Sequence, residues 1–166
     1  MTNGDDRFST AQWILERQLG WIASADSKVG VVVAIQTAML GGLAAAFGMA
    51  THRTEWALIT TVAAAICSIA ALICTAFALF PRTDGPKKSL LFFGCICKLE
   101  PPAFKEQLRS ATDMDLLEDC SDQIHRNAEI AGVKHRWVQN ALIWSFCSAP
   151  SWIIAIRLLL QHTLAI

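Results

Sequence analysis

The sequence contains no tyrosine, and charged residues are scarce in it. They make up 17% of the 166 residues, whereas hydrophobic residues make up 54%. Soluble domains usually contain about 25% charged residues, so the composition indicates a membrane protein. Positive and negative charges cancel to a net charge of zero at pH 7, and for this reason we expect no nucleic-acid partner.

The sequence also lacks the features that enzymes use for hydrolysis or phosphoryl transfer. It has no glycine-rich phosphate-binding loop, and no nucleophile stands beside an orienting base. We therefore expect neither an enzyme nor a cofactor. Six cysteines are present, but those outside the apolar stretches fall on the predicted cytoplasmic side, where thiols stay reduced. We expect no disulfide and no metal site.

Three stretches are each long enough to cross a bilayer, which takes about 20 apolar residues. Residues 29–50 and 57–80 contain no charge, and residues 138–160 contain only Arg157 near their end. The segment before the first stretch is too polar to be a signal peptide, so we expect a retained anchor. The sequence thus predicts three transmembrane helices.

The two polar segments, residues 1–28 and 81–137, contain three and nine of the fourteen lysines and arginines. Positive charge stays on the cytoplasmic side of a membrane protein. We therefore expect both segments in the cytoplasm and the C-terminus outside. Residues 1–28 are predicted to form an N-terminal stalk helix, and residues 81–137 a helical sensor region.

A proline-free run predicts that the first helix is a single long rod. Ser9 and Gln12 fit a capping box, so we expect this helix to begin at Thr10 and to end near residue 48. Its apolar stripe comprises Ala11, Leu15, Leu19 and Ile22, and the opposite face carries Arg17, Gln18 and Ser24.

The last helix is predicted from Asp115 to Leu160, with Asp113 or Asp115 as its cap and a kink at Pro150. Its stripe should pack against the first stalk; it comprises Leu117, Cys120, Ile124, Ala128 and Ala131. A short helix should start at the two prolines 101–102, while residues 90–99 fit either a short helix or an interfacial segment. The expected fold is an all-α membrane protein with three transmembrane helices, two of them extended as stalks, and a small helical connection.

Polar residues stand where both stalks reach the membrane. Asp26 and Lys28 directly precede the first span, and Gln123, Asn127 and Lys134 form a stripe leading to the last one. Ordinary solvated faces and a snorkelling lysine explain them as well. If the stalks pack, however, these amides, the carboxylate and the ammonium groups converge in a cavity suited to a small anionic ligand such as a nucleotide.

Three stretches of the chain resemble the Pycsar-type transmembrane effectors of bacterial anti-phage defence. They are "ASADSKVGVVVAIQ", "SLLFFG" and "DQIHRNAEIAGVKHRWV". The residues that match the family pattern are Asp26, Lys28, Phe92, Phe93, Gly94, Gln123, Ile124, Asn127, Ile130, Ala131 and Lys134. The family more often has tyrosine in the aromatic element, so a ligand contact made by its hydroxyl would be missing here.

The resemblance implies a function and a location. Family members respond to cyclic CMP or cyclic UMP made by a partner pyrimidine cyclase, and they impair the bacterial inner membrane, which stops phage replication through abortive infection. We expect Lys28 and Lys134 to hold the phosphate and Asp26, Asn127 and Gln123 to orient the ligand. Phe92 or Phe93 would stack on the base. The sequence does not decide whether the messenger is cyclic CMP or cyclic UMP. In the bacterial inner membrane, the C-terminus would be periplasmic.

Three spans are too few to enclose a wide pore, so we expect a homo-oligomer in the lipid bilayer. The alternative is a constitutive membrane scaffold that docks a partner protein through its cytoplasmic helices and binds no small molecule. A small transporter is less favoured, because the spans contain no acid near the middle of the membrane.

Overall fold

The computed structural model describes residues 3–81, 85–86 and 88–161. Within these ranges the chain forms five α-helices and no β-strand. The helices are α1 (Asn3–Met49), α2 (Glu55–Leu79), α3 (Phe93–Ile96), α4 (Pro101–Ser110) and α5 (Asp113–Leu160). Because α1, α2 and α5 are long and apolar enough to cross a membrane, the predicted all-α membrane fold is confirmed.

The helices α1 and α5 are much longer than a bilayer requires. They contain 47 and 48 residues, or about 70 Å each at 1.5 Å per residue, whereas the hydrocarbon core is about 30 Å thick. Both helices therefore extend beyond a membrane that they cross, as the predicted stalks do. The segment boundaries predicted from the sequence stay predictions.

The start of α1 differs from the prediction. The helix is already formed at Asn3, and the Ser9 hydroxyl donates to the Asp6 carbonyl at 3.0 Å within it. Ser9 and Gln12 therefore lie inside the helix, and the predicted capping box is wrong. The prediction failed because nothing between Asn3 and Ser9 breaks a helix, and a capping pattern inside a helix is indistinguishable from one at its end.

The cap of α5 is Thr112, which the sequence reading missed. The Thr112 hydroxyl accepts from the Asp115 amide at 3.2 Å, and the Asp115 carboxylate accepts from the Thr112 amide at 2.8 Å. This reciprocal pair is a capping box. The Thr112 hydroxyl also donates to the carboxylate, and together the hydroxyl and amide hydrogen bonds hold the Asp115 pKa below its ordinary value. Asp115 thus contributes to the cap, but not as the capping residue itself.

The chain divides into two compact units. Met1–Ser24 and Pro81–Val133 make up the first, called the stalk unit below. Ala25–Phe80 and Lys134–Ile166 make up the second, called the membrane unit.

The membrane unit packs through small side chains. Alanines 46, 57, 64 and 155 are buried in one cluster with Leu43 and Leu159, and small residues let helices approach closely in lipid. Large apolar side chains lie on the outside instead. Those at least half exposed include Val31, Ile35, Ile59, Val62, Ile66 and Ile73. An apolar exterior over a small-residue interior is what a lipid environment favours.

Buried polar groups also join α1 to α5 inside the membrane unit. Gln36 is fully buried, and its Oε1 accepts from the Ser148 hydroxyl at 3.4 Å. The Trp152 indole donates to the Met39 carbonyl at 2.8 Å. α5 continues through Pro150. Because lipid offers no competing water, such contacts fix the pairing of the two helices.

The stalk unit pairs the N-terminal part of α1 with the N-terminal part of α5. A groove between them is lined by Ala11 and Ile14 on one helix and by Leu117 and Ile124 on the other, so the two predicted stripes meet at Ala11, Leu117 and Ile124. Its edges differ from the prediction. Leu19 is 53% exposed, whereas Gln18 turns inward, and its Oε1 is enclosed with no hydrogen-bond partner among the residues that the structure describes. Ala128 is also exposed.

The sequence left residues 90–99 open. Residues 90–92 are a loop, Phe93–Ile96 form the single turn of α3, and residues 97–99 form a following turn. The short helix expected at the two prolines is α4, and Pro101 stands in its first turn. All six cysteines carry free thiols.

Candidate functional site

A serine hydroxyl organises the aromatic segment of the stalk unit. The Ser89 Oγ accepts from the Phe92 amide at 2.8 Å and from the Leu91 amide at 3.1 Å. It also accepts from Nε2 of Gln123 at 3.2 Å. Both side chains are buried, at 8% and 7% exposure. The first predicted site residue of α5, Gln123, therefore holds the loop that precedes α3.

Asp119 fixes the same loop from one turn earlier on α5. Its Oδ2 accepts from the Leu90 amide at 2.7 Å and from the Leu91 amide at 3.2 Å. Its other oxygen, Oδ1, is enclosed and has no partner among the described residues. Asp119 and Gln123 together anchor three consecutive residues, Leu90 to Phe92, either directly or through Ser89.

The two phenylalanines of the aromatic element have different environments. The Phe92 ring lies so close to two glycines that a Cβ added at Gly85 or Gly94 would stand 2.5 Å from it. Phe93 is 64% exposed, and its ring centroid lies 4.9 Å from that of Phe92. Phe92 is therefore a packing residue at this position, while Phe93 presents a free aromatic face.

Asn127 lies one turn beyond Gln123 on α5 and is partly buried. The remaining predicted residues belong to the membrane unit. Lys134 Nζ lies 2.5 Å from the Asp26 Oδ1. The lysine side chain is only 12% exposed and the aspartate 40%. Lys28 is exposed, and it forms no ion pair with a described residue.

The predicted residues thus divide between the units. Phe92, Phe93, Gln123 and Asn127 lie in the stalk unit, and the other three lie in the membrane unit. The structure brings together Gln123 with the Phe92 loop, and Asp26 with Lys134. Their assignment to a ligand stays a prediction.

Sequence reasoning missed Ser89 and Asp119. A serine three residues before Phe92 is a weak signal for a side-chain-stabilised turn, but Ser89 and Gln123 are 34 residues apart. Only the packed structure shows that they meet. Of the residues that the structure describes, none form a group of three or more His, Cys, Asp or Glu arranged to hold a metal.

Two titrating groups of the stalk unit respond to their neighbours. The Arg126 guanidinium donates to Glu129 at 2.8 Å and holds the pKa of that carboxyl below its usual value. Burial, with the nearby Asp119 charge, raises the pKa of the Cys120 thiol, which is 1% exposed. Neither group has the lowered thiol pKa or raised carboxyl pKa that is typical of catalytic residues.

Comparison with known proteins gives one match. The family model for the Pycsar effector protein domain matches residues 10–161, which include all seven predicted site residues and parts of all five helices. No curated protein and no solved structure matches the chain. Because the family match extends over nearly all of the described residues, the chain belongs to the Pycsar effectors, a family of non-catalytic effectors in anti-phage defence.

Proposed function

We propose that the protein binds a cyclic pyrimidine nucleotide, cyclic CMP or cyclic UMP, at its cytoplasmic stalks and then disrupts the bacterial inner membrane. A partner cyclase makes the nucleotide upon infection, and loss of membrane integrity ends the infection together with the cell. Family membership supports the defence role. The three membrane-long helices support the place of action.

The ion pair between Lys134 and Asp26 is the observation that carries this proposal. A lysine that is 12% exposed is held by a carboxylate that is 40% exposed, so the carboxylate is the partner that an incoming anion can replace. A nucleotide phosphate is such an anion, since lysine binds phosphate as a point charge. Lys28 is exposed and supplies a second positive charge.

Replacement of Asp26 by the phosphate, as the partner of Lys134, would activate the protein. The pair links α1 to α5 within the membrane unit, so its loss weakens that link. A ligand shifts a conformational equilibrium only when it binds one state better than the other. A phosphate that binds Lys134 only when Asp26 has left satisfies this condition.

In the stalk unit, considered by itself, three of the predicted residues have chemistry that suits a nucleoside. Asn127 carries an amide that can donate and accept. The exposed Phe93 face is available for stacking on a base, a contact worth about 1–3 kcal/mol. Gln123 already donates to Ser89, so in the proposal it orients the loop that carries the aromatic residues.

The membrane effect requires more than one copy. Three helices are too few to enclose a wide pore, and the exposed face of α2 carries Ile59, Ile66 and Ile73. We propose that these surfaces meet lipid at rest and a second copy after activation. Both stalks would stand in the cytoplasm and the C-terminus in the periplasm, which labelling of the exposed Cys97 from either side of the membrane tests.

Calorimetry on the purified protein in detergent tests nucleotide binding. Cyclic CMP and cyclic UMP are the ligands, and cyclic AMP is the control. The Lys134→Ala variant should lose binding at least about tenfold, because a charge-assisted contact is removed. Lys105→Ala, which removes an exposed lysine of α4, should bind as the unchanged protein does. Absence of binding of either pyrimidine nucleotide to the folded protein would refute the proposal.

A scaffold is the second candidate, and one observation favours it. Leu108 and Met114 of the stalk unit are 47% and 70% exposed, which suits docking of a protein partner. A scaffold binds no nucleotide, so the same calorimetry separates the two functions.

A further inference from the structure

The membrane unit has a groove on its surface, between α1 and α5. Its volume is about 370 Å³, which is in the range of small-molecule sites. One wall is a stripe of α1 that includes Val31, Ile35 and Met39, and the other is a stripe of α5 that includes Leu142 and Phe146. Every described residue that lines the groove belongs to the membrane unit.

The groove opens outward and is apolar along most of its length. Val31, Ile35 and Phe146 are 58%, 51% and 76% exposed, so no other part of the described chain covers them. Two polar residues of the lining present no free group to the groove. Gln36 is fully buried, and the Ser145 hydroxyl donates to the Ala141 carbonyl at 2.7 Å. In a bilayer, such a surface contacts hydrocarbon or another protein.

One charged group lies at the stalk end of the groove. Lys28 lines the groove and is exposed, and no acidic residue is among the described residues of the lining. Asp26, the nearest acid in the sequence, is not part of the lining and is held by Lys134. The groove therefore joins an unneutralised positive charge at one end to an apolar surface along the rest. A phospholipid of negative charge has the complementary arrangement.

The length of the groove matches one leaflet of a bilayer. Met39 stands eleven residues after Lys28 on α1, which corresponds to about 16 Å at 1.5 Å per residue. Half of a hydrocarbon core of about 30 Å is about 15 Å. Because Lys28 directly precedes the uncharged residues 29–50, the groove begins at the headgroups on the stalk side and ends near the middle of the bilayer. Its length therefore suits one acyl chain of that leaflet.

We infer that this groove binds an anionic phospholipid from the leaflet on the stalk side. Lys28 binds the phosphate of the headgroup, since basic side chains at a membrane surface attract anionic lipids. One acyl chain packs along the apolar stripes of α1 and α5. The inference goes beyond the proposed function, because it requires no nucleotide and no change in the ion pair between Asp26 and Lys134.

A second copy of the chain suits the groove less well than a lipid does. Copies in one membrane stand at the same depth, so a symmetric contact through this face would bring their two Lys28 side chains together. Like charges that face each other across an interface repel. A phospholipid instead brings a negative charge to the same place.

Native mass spectrometry of the full-length protein released from detergent tests the inference, because it counts the lipids that each chain retains. The probes are phosphatidylglycerol and phosphatidylcholine with identical acyl chains, titrated without nucleotide. Both lipids contain a phosphate, but only phosphatidylglycerol has a net negative charge. Glycerol 3-phosphate, which has the charge and no acyl chain, distinguishes a lipid from a free phosphate compound.

Two variants test the two ends of the groove, and each has a matched control. Lys28→Gln removes the charge, and Lys105→Gln, at an exposed position of α4, is its control. Ala149→Leu fills the far end of the groove and leaves the charge in place. Ala34→Leu is the control for this change, because Ala34 is exposed on α1 and does not line the groove. Thermal unfolding verifies that each variant is folded.

We expect one phosphatidylglycerol per chain, bound about fivefold more tightly than phosphatidylcholine, and no binding of glycerol 3-phosphate. Lys28→Gln should remove the preference for phosphatidylglycerol. Ala149→Leu should cause a loss of both retained lipids, because it occupies the space of the acyl chain. Both control variants should retain lipid as the unchanged protein does.

Several results would overturn the inference. They are equal affinity of the unchanged protein for both lipids, a preference that survives Lys28→Gln, and lipid retention that Ala149→Leu leaves unchanged. Binding of glycerol 3-phosphate as tight as that of phosphatidylglycerol would assign Lys28 to a free phosphate compound instead. Dimers that Ala149→Leu dissociates, with lipid retention unaffected, would assign the groove to a second copy.

Discussion

Gln123 of α5 donates a hydrogen bond to Ser89, a residue 34 positions earlier in the chain, and both side chains are buried. The Ser89 Oγ in turn accepts a hydrogen bond from the Phe92 amide at 2.8 Å. The aromatic element is therefore held by α5 through one hydroxyl group.

Replacement of Ser89 by alanine should free the Phe92 amide. The change leaves buried donors without an acceptor, which costs about 1–3 kcal/mol. Hydrogen exchange at Phe92 should accelerate about tenfold, because the loop opens more often. The Leu90 amide is the internal control, since Asp119 holds it. Equal acceleration at Leu90 and Phe92 would show that the loop opens as a whole and that Ser89 has no local role.

Gly94 should not tolerate a larger residue. A Cβ at this position would lie 2.5 Å from the Phe92 ring, so Gly94→Ala should lower the free energy of unfolding by about 1–3 kcal/mol. Gly132→Ala on α5 is the matched control, because nothing lies within 4 Å of its added Cβ. It should raise stability by about 0.5–1 kcal/mol through helix propensity. Tryptophan fluorescence during unfolding in detergent measures both, and a stabilising Gly94→Ala would contradict the close packing of Phe92.

The pair of Asp26 and Lys134 should stabilise the membrane unit. Asp26→Asn leaves the partly buried ammonium without its charged partner, and we expect a loss of about 1 kcal/mol, since the aspartate is 40% exposed and its charge is screened. Lys28→Gln, at an exposed position, should change stability by less than about 0.5 kcal/mol. A double-mutant cycle with Lys134→Gln measures the coupling energy between the two side chains. A coupling energy of zero would show that the pair does not stabilise the membrane unit, and it would then have no role in activation.

The cap of α5 should weaken in acid. Hydrogen bonds from Thr112 hold the Asp115 pKa below its ordinary value of 3.8. A carboxyl with a lowered folded-state pKa stabilises the fold fully above its unfolded value, and this contribution is lost as the pH falls through the folded value. The protection factors of the amides in the first turn of α5, that is, their exchange relative to an unstructured peptide at the same pH, should therefore fall below pH 3.8. Asp115→Asn should remove the acid-dependent part of this fall. An unchanged pH profile in the variant would contradict the assignment.

Long-range hydrophobic patterning was enough to predict the helices of this fold. The three apolar stretches and the absence of proline between Ser9 and Pro81 fix the existence and type of α1, α2 and α5. The finer features depend on tertiary contacts. Gln18 turns inward and Leu19 outward because the position of α5 decides which face of α1 is covered, and no periodicity in α1 alone contains that information.

The candidate site was predictable only in part, for the same reason. The residues that match the family pattern could be named from their order and spacing. Their partners could not, because Ser89 meets Gln123 and Asp26 meets Lys134 only after folding. A cavity of the stalk unit that Lys88, Lys98 and Asp119 help to line has no sequence signature, since its lining comes from separate segments of the chain.

Dye release from liposomes that contain the purified protein tests whether a cyclic pyrimidine nucleotide opens the membrane. The vesicles are made from lipids of a bacterial inner membrane, and cyclic CMP, cyclic UMP or cyclic AMP is added outside. We expect that one pyrimidine nucleotide releases the dye and that cyclic AMP does not. Lys134→Ala should abolish the release, and Lys105→Ala should preserve it. Suppose that the protein is shown to be inserted with its stalks outward and that the vesicles stay intact with either pyrimidine nucleotide. That result would show that a cyclic pyrimidine nucleotide does not open the membrane through this protein.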